Sequence, residues 1–344
     1  GIPRFGAGSQ TLKSTRASEG QDLPDDRPEL GSEIVDLRER APEPIPDPAS
    51  VAAPGPGPAS ALGGWELAWP TIVSFGAYTL VRAVDFAMVG SLGPDALAAV
   101  GLGGQVYWLD QSIAMLVPTG LTAILARAVG AQDPELADRA LRQSLLLASG
   151  IGVLTTLGGL PLSELSIELY GVEPAVVALG GQYVWWLLIG TVPFAHGMMF
   201  GTAIRAAGDA RTPLYVGIAV NVVNVFLNWV LIYGKLGVPA LGVAGAAIAS
   251  SLAMAIQALL FFWMWGRRHL ILQPQRTGWK LDRDLVRRIS VIGYPASIEQ
   301  GLFQVGLLAF QRIMSPYGTA VIAAYNVGVQ VLSFSFIPGC LLYT

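Results

Sequence analysis

The feature that most limits what this chain can fold into is a series of long apolar stretches. A helix needs roughly 20 apolar residues to cross the hydrocarbon core of a membrane. Eight stretches meet this requirement, and turns rich in Gly, Pro and Asp separate them. They lie near 65–92, 96–128, 138–162, 178–203, 211–234, 241–266, 286–314 and 319–343. We therefore predict an all-α polytopic membrane protein.

The composition agrees with this class and argues against several others. Hydrophobic residues make up 53% of the chain and charged residues 13%, whereas soluble domains are about 25% charged. A net charge of -3 gives no clustered basic surface for nucleic acid. The one cysteine and two histidines lack zinc-site spacing, and neither HExxH nor GxSxG occurs. We expect no nucleic-acid binding, no enzymatic activity, no metal and no organic cofactor.

Basic residues between the spans predict the orientation in the membrane. The loops after the second, fourth and sixth spans carry several arginines, whereas the loops after odd spans offer only Lys235 and Arg312. By the positive-inside rule, the even loops and the N-terminus face the cytoplasm. We expect a multi-pass protein of the inner (plasma) membrane, in contact with lipid and monomeric.

An internal repeat at an offset of 225 residues relates the last two spans to the first two. "LAAVGLGGQV" at 97–106 falls on "IAAYNVGVQV" at 322–331, and Pro70 falls on Pro295. Six spans separate the copies, so both copies enter the membrane in the same orientation. Transporters built from such repeats commonly bind substrate between the two halves. We expect twelve spans in the complete protein and expect this chain to stop early.

Four segments follow from the repeat and from the composition. Residues 1–62 are rich in Pro, Ala, Gly and acids, which predicts a disordered extension. We predict a complete six-helix bundle over 63–266 and a basic cytoplasmic linker over 267–285. Residues 286–344 are then the start of a second bundle, of which two helices are present.

One carboxylate in the first span is the strongest candidate for a functional residue. The stretch "VRAVDFAMVGSLG" at 81–93 carries Arg82 and Asp85 inside an apolar helix. A charge at the bilayer centre costs about 2.5–3.5 kcal/mol on insertion scales, so buried acids tend to be functional. Asp85 could carry a proton between two access states. Alternatively, Arg82 and Asp85 form an i,i+3 pair that only contributes to packing.

Further polar side chains lie in the second and fifth spans. Asn221, Asn224 and Asn228 recur at i, i+3 and i+7, so they share one face of a helix. They line a cavity, or they form interhelical hydrogen bonds worth about 0.6 kcal/mol each. Asp110, in the middle of the second span, either bonds a neighbouring helix or has a function of its own.

Six strings of sequence, in order along the chain, resemble the multidrug and toxic compound extrusion (MATE) transporters. The resemblance covers residues 65 to about 339. The strings are "VDFAMVGSLGPDALAAVGLGG", "PTGLTAILARAVGAQDPELA", "GTAIRAAGDARTPL", "NVVNVFLNWVLIYG", "GVAGAAIASS" and "GYPASIEQGLF". The resemblance implies two six-helix bundles facing each other in a V. It also implies export of organic cations and amphipathic drugs in exchange for inward sodium ions or protons.

The resemblance also assigns roles to particular residues of the first bundle. Asp85 matches a functional aspartate of the family. The family pattern often has an acid where this chain has Asn228, four residues after Asn224, and losing that acid weakens a sodium site because hard cations prefer anionic oxygen ligands. Ser250 is a hydroxyl neighbour of this site by analogy with the family.

Three more residues take their roles from the resemblance. Glu299 matches an acid of the second bundle that contributes to substrate or cation binding. Pro70 and Pro295 are candidate helix kinks, since a bend of the first helix has been linked to protonation in the family. Structural kinks without a role in transport are the alternative.

Two other functions remain open from the sequence. A flippase for lipid-linked saccharides shares this architecture, but it needs a cavity rich in Arg or Lys to bind pyrophosphate, and only Arg82 lies deep in a span. The chain could also be a non-functional transporter fragment, because half of the second bundle is missing.

Overall fold

The computed structural model describes residues 64–270, 272, 280–318, 320–329 and 332. The chain divides into two units, Gly1–Ala53 and Pro54–Thr344, and every described residue lies in the second unit. The predicted disordered segment, 1–62, lies outside the described residues. So do part of the predicted linker and much of the predicted eighth span.

Every element in the described part of the chain is a helix, which confirms the predicted all-α class. Two 3₁₀ turns, Leu160–Leu162 and Ser315–Tyr317, accompany the α-helices. The α-helices are α1 (Gly64–Gly90), α2 (Pro94–Ala114), α3 (Leu116–Gly130), α4 (Pro134–Gly159), α5 (Ser163–Glu168), α6 (Pro174–Ile189), α7 (Thr191–Ala206), α8 (Arg211–Tyr233), α9 (Gly242–Gly266), α10 (Arg283–Met314) and α11 (Ala320–Val329).

Six of the eight predicted spans have the length and hydropathy needed to cross a membrane. Four are single spans: Trp69–Gly90, Pro134–Glu168, Arg211–Tyr233 and Gly242–Gly266. The other two are bent pairs, α2 with α3 at 42° and α6 with α7 at 52°. Although α10 has 32 residues, it is not among these spans, since its apolar middle carries "IEQGLFQ".

Each of the two bends lies one turn before a proline. Pro118 is the third residue of α3, and Pro193 is the third residue of α7. Proline lacks an amide hydrogen, and its ring clashes with the carbonyl four residues earlier. Those carbonyls belong to Ala114 and Ile189, the last residues of α2 and α6. The prolines therefore explain why these two predicted spans are each broken into two helices.

The two prolines predicted as kinks lie elsewhere. Pro70 is inside α1 and Pro295 is inside α10, and both helices continue through the proline without a break. Their role in bending a helix during transport stays a prediction.

Contacts between α1 and α8 position the polar residues of both helices. The Tyr233 hydroxyl, at the end of α8, donates a hydrogen bond to the Met88 carbonyl at 3.1 Å and lies 3.1 Å from the Ser91 hydroxyl. These contacts hold the ends of the two helices side by side. We call this side of the bundle the Gly90 end, and the opposite side, where α3 and α7 end, the Gly130 end.

Candidate functional site

A cavity of about 320 Å³ lies among α1, α2, α6, α7, α8 and α9. All six helices belong to the predicted N-terminal bundle. The predicted site residues Asp85, Asn224 and Ser250 line the cavity, as does Asn221. Its aromatic lining consists of Phe75, Tyr78, Tyr107, Trp108, Phe194 and Phe261.

At the Gly90 side of this cavity, Asp85 on α1 meets the asparagines of α8. The Asn228 side-chain nitrogen donates a hydrogen bond to Asp85 Oδ1 at 2.6 Å and another to Asn224 Oδ1 at 3.3 Å. Asn228 is fully buried and Asn224 is buried. The predicted amide stripe thus includes the hydrogen-bond partner of the predicted carboxylate.

The Asn228 side-chain oxygen has no hydrogen-bond partner among the described residues. A buried acceptor without a donor costs about 1–3 kcal/mol, so this oxygen is available to a proton on Asp85 or to a cation. Within the described residues, no group of three His, Cys, Asp or Glu side chains could hold a metal ion. The cluster of Asp85, Asn224 and Asn228 contains one carboxylate and two amide oxygens. These oxygens could bind a proton or a monovalent cation.

Arg82 does not pair with Asp85, although the two residues are one helical turn apart. In the described part of the chain Arg82 forms no ion pair. Its guanidinium interacts electrostatically with Tyr78, Tyr183 and Asp85, and it lies 5.9 Å from the centre of the Phe86 ring. The two side chains therefore interact through their charges without a direct ion pair, and whether they act only in packing stays open.

Arg205 is a cavity residue that was not predicted from the sequence. The arginines after the fourth span were expected in a loop, but Arg205 lies in the last turn of α7 and lines the cavity. Gly197 and Gly201, at four-residue spacing before it, line the same cavity. That periodicity is the signal that could have predicted its position.

Two other acids lie apart from the cavity. Glu299 on α10 is exposed, and it is not among the cavity residues, so its predicted role in binding stays a prediction. Asp110 on α2 accepts hydrogen bonds from the Thr191 hydroxyl at 3.4 Å and from the Gln111 side chain at 3.3 Å. Because Thr191 is the first residue of α7, Asp110 links α2 to the bend between α6 and α7.

Comparisons with known proteins agree on one family. The MatE family model matches residues 70–230. A probable multidrug resistance protein NorM of Thermotoga maritima is 30% identical over 279 residues, which cover 79% of this chain and 59% of that protein. A probable multidrug resistance protein NorM of Bradyrhizobium diazoefficiens is 29% identical over 277 residues, 79% of this chain and 58% of that protein.

Solved structures are similar as well. The crystal structure of a MATE protein in complex with MaD3S has a TM-score of 0.70 at 26% identity, over 82% of this chain and 63% of that chain. The chain thus spans less than two thirds of the length of these relatives.

Proposed function

We propose that this chain works as a secondary active antiporter of the MATE family, because it is similar to the MatE family model and to the NorM proteins. It exports organic cations and amphipathic drugs in exchange for protons or sodium ions. The names of the two NorM relatives support drug efflux as the activity, and the drug-sized cavity supports small molecules as the substrates.

The observation that carries the proposal is the position of Asp85. It is the one carboxylate among the residues that line the cavity, and its hydrogen-bond partner is Asn228. A cation in the cavity and a proton or sodium ion on Asp85 would each neutralise the same negative charge. Binding of one therefore weakens binding of the other, and this negative coupling is what antiport requires.

Protons are the coupling ion that the cluster favours. Hard cations such as sodium need anionic oxygen ligands in addition to neutral ones, and Asp85 supplies one charge while Asn224 and Asn228 supply amides. A proton needs only the carboxylate. We therefore expect efflux to depend more strongly on pH than on external sodium.

The basic residues near the helix ends support a cytoplasmic Gly130 end in the inner membrane. Arg127, Arg205 and Arg211 lie at this end, on α3, α7 and α8. Arg267 and Arg268 follow α9 at the same end, whereas the Gly90 end has Lys235 after α8 and Arg312 in the last turn of α10. Such an asymmetry orients membrane proteins with the basic loops in the cytoplasm. The cytoplasmic N-terminus, the monomeric state and the lipid contacts belong to the same proposal.

The test is transport by the full-length protein in proteoliposomes. A proton gradient should drive efflux of a fluorescent organic cation, and Asp85→Asn should abolish the dependence on the gradient. Asp95→Asn, in the first turn of α2 and outside the cavity, is the matched control and should transport normally. Unchanged gradient-driven efflux in Asp85→Asn would remove Asp85 from the mechanism.

A further inference from the structure

The charged side chains that line the cavity do not suit a ligand that carries only positive charge. Three charged side chains line it: Arg82, Asp85 and Arg205. With Asp85 ionised, the lining carries a formal charge of +1, and with Asp85 protonated, +2. A cavity with fixed positive charge raises the local concentration of anions and repels cations.

Neither cavity arginine forms a direct ion pair with a carboxylate of the described residues, although Arg82 interacts electrostatically with Asp85 one turn away. Arg82 and Arg205 form no ion pair within the described part of the chain. A third arginine, Arg142, shows the contrasting arrangement, because it is buried and its guanidinium lies 2.9 Å from the Asp138 carboxylate. A guanidinium in an apolar environment needs such a partner, so the two cavity arginines are available to an anionic group on a ligand.

We infer that the cavity recognises the carboxylate of an acidic aromatic molecule, with Arg82 as the main recognition residue and Arg205 as a second one. This inference rests on the proposed function only in taking the cavity as the substrate site, because an acid that binds more tightly when Asp85 is protonated is coupled to protons with the opposite sign to a cation. Arg82 lies one turn from Asp85 on α1, whereas Arg205 lies at the Gly130 end of the cavity in the last turn of α7.

The rest of the lining suits an aromatic carboxylate. A guanidinium binds a carboxylate through two parallel hydrogen bonds, which gives both strength and orientation. Tyr78, Tyr107 and Trp108 line the cavity near the middle of α1 and α2 and offer ring faces and edges for stacking. A cavity of about 320 Å³ is at the small end of drug-binding sites, which favours one or two fused rings over a lipid tail.

The charge on Asp85 determines how tightly such an acid binds in the cavity. The groups that surround the Asp85 carboxylate are Arg82 on α1, Asn228 on α8 and Tyr183 on α6. Removing the negative charge of Asp85 leaves only the guanidinium groups as charges in the lining. An acidic ligand should therefore bind more tightly to Asp85→Asn than to the unmodified protein, whereas a cation should bind less tightly.

The test is calorimetric titration of the purified full chain in detergent with three ligands of one shape: 2-naphthoate, 2-naphthamide and 2-naphthylmethylammonium. We expect 2-naphthoate to bind about tenfold more tightly than the amide, which corresponds to one good charged contact. Arg82→Gln should remove this preference, Arg205→Gln should reduce it about threefold, and Asp85→Asn should increase it. Arg82→Lys, which keeps the charge, should retain part of it.

A matched control separates recognition from folding. Arg139 is exposed on α4, and Arg139→Gln should leave all three affinities unchanged. Equal binding of the three ligands, tightest binding of the ammonium compound, or an equal loss for all three ligands in Arg82→Gln would overturn the inference. Binding of dodecyl phosphate without binding of 2-naphthoate would also overturn it, in favour of a lipid phosphate.

The two proposals fail in different ways. If 2-naphthoate does not bind but a proton gradient still drives efflux of a fluorescent cation, the antiport proposal stands and the acid site is wrong. If 2-naphthoate binds with the expected dependence on Arg82 but no gradient drives transport, the acid site stands and the antiport proposal is wrong.

Discussion

The side-chain nitrogen of Asn228 donates a hydrogen bond to Asp85 Oδ1 at 2.6 Å and so joins residues 143 positions apart in the chain. This bond connects α1 to α8 beside the cavity. It gives the half-buried carboxylate of Asp85 a donor that does not carry a charge. Asp85 therefore stays free to gain or lose a proton without first breaking an ion pair.

Removing the amide of Asn228 should destabilise the bundle and impair coupling. In Asn228→Ala the Asp85 carboxylate loses its donor, and a hydrogen bond to a charged group is worth about 1.5–3 kcal/mol. We expect the free energy of unfolding, measured by denaturation in mixed micelles, to fall by that amount. Asn221→Ala removes an amide from the same face of α8 that has no bond to Asp85, so it should cost less than half as much. Equal losses would contradict a specific role for the Asn228 bond.

A second carboxylate at position 228 should change the coupling ion. In Asn228→Asp two acids lie side by side, and like charges at this distance repel unless a cation or a shared proton sits between them. We expect sodium to stimulate efflux in this variant and to have little effect on the unmodified protein. Titration with sodium chloride, with potassium chloride as the control salt, measures the difference. An identical response to both salts would count against a sodium site built from these oxygens.

The hydrogen bond between Thr191 and Asp110 should contribute to stability more than to transport. Thr191→Val removes the hydroxyl that lies 3.4 Å from Asp110 Oδ2, which we expect to lower the unfolding free energy by about 1 kcal/mol. The matched change Thr122→Val removes a hydroxyl that bonds the Pro118 carbonyl within its own helix, and it should have a smaller effect. A large loss of gradient-driven efflux in Thr191→Val without a loss of stability would instead assign Asp110 to the transport mechanism.

Close contact between α3 and α10 should make one glycine intolerant of substitution. A Cβ on Gly293 would overlap the carbonyl of Leu116, and overpacking of this kind typically costs about 1–3 kcal/mol. Gly293→Ala should therefore lower the midpoint of thermal unfolding. Gly306→Ala on the same helix has no atom within 4 Å of the added Cβ, so it should be neutral or slightly stabilising. Similar midpoints for the two variants would show that α10 does not pack on α3 in this way.

The sequence by itself determined the helical class, the first six spans and the polar face of α8. A bilayer imposes a minimum apolar length on each crossing helix, so hydropathy along the chain reports the spans directly. Helical periodicity places Asn224 and Asn228 on one face for the same local reason. These features depend on residues close together in the chain, and the structure reproduces them.

Only the tertiary structure decided which residues meet. Spacing on α1 allowed Asp85 to pair with Arg82, but the packing of α8 against α1 supplied Asn228 instead. The bend at Pro193 and the end of α7 brought Arg205 into the cavity, whereas Glu299 on α10 remained outside it. Local spacing limits the partners a side chain can reach, and the packing of distant helices selects among them, because each contact must also agree with the packing of the neighbouring side chains.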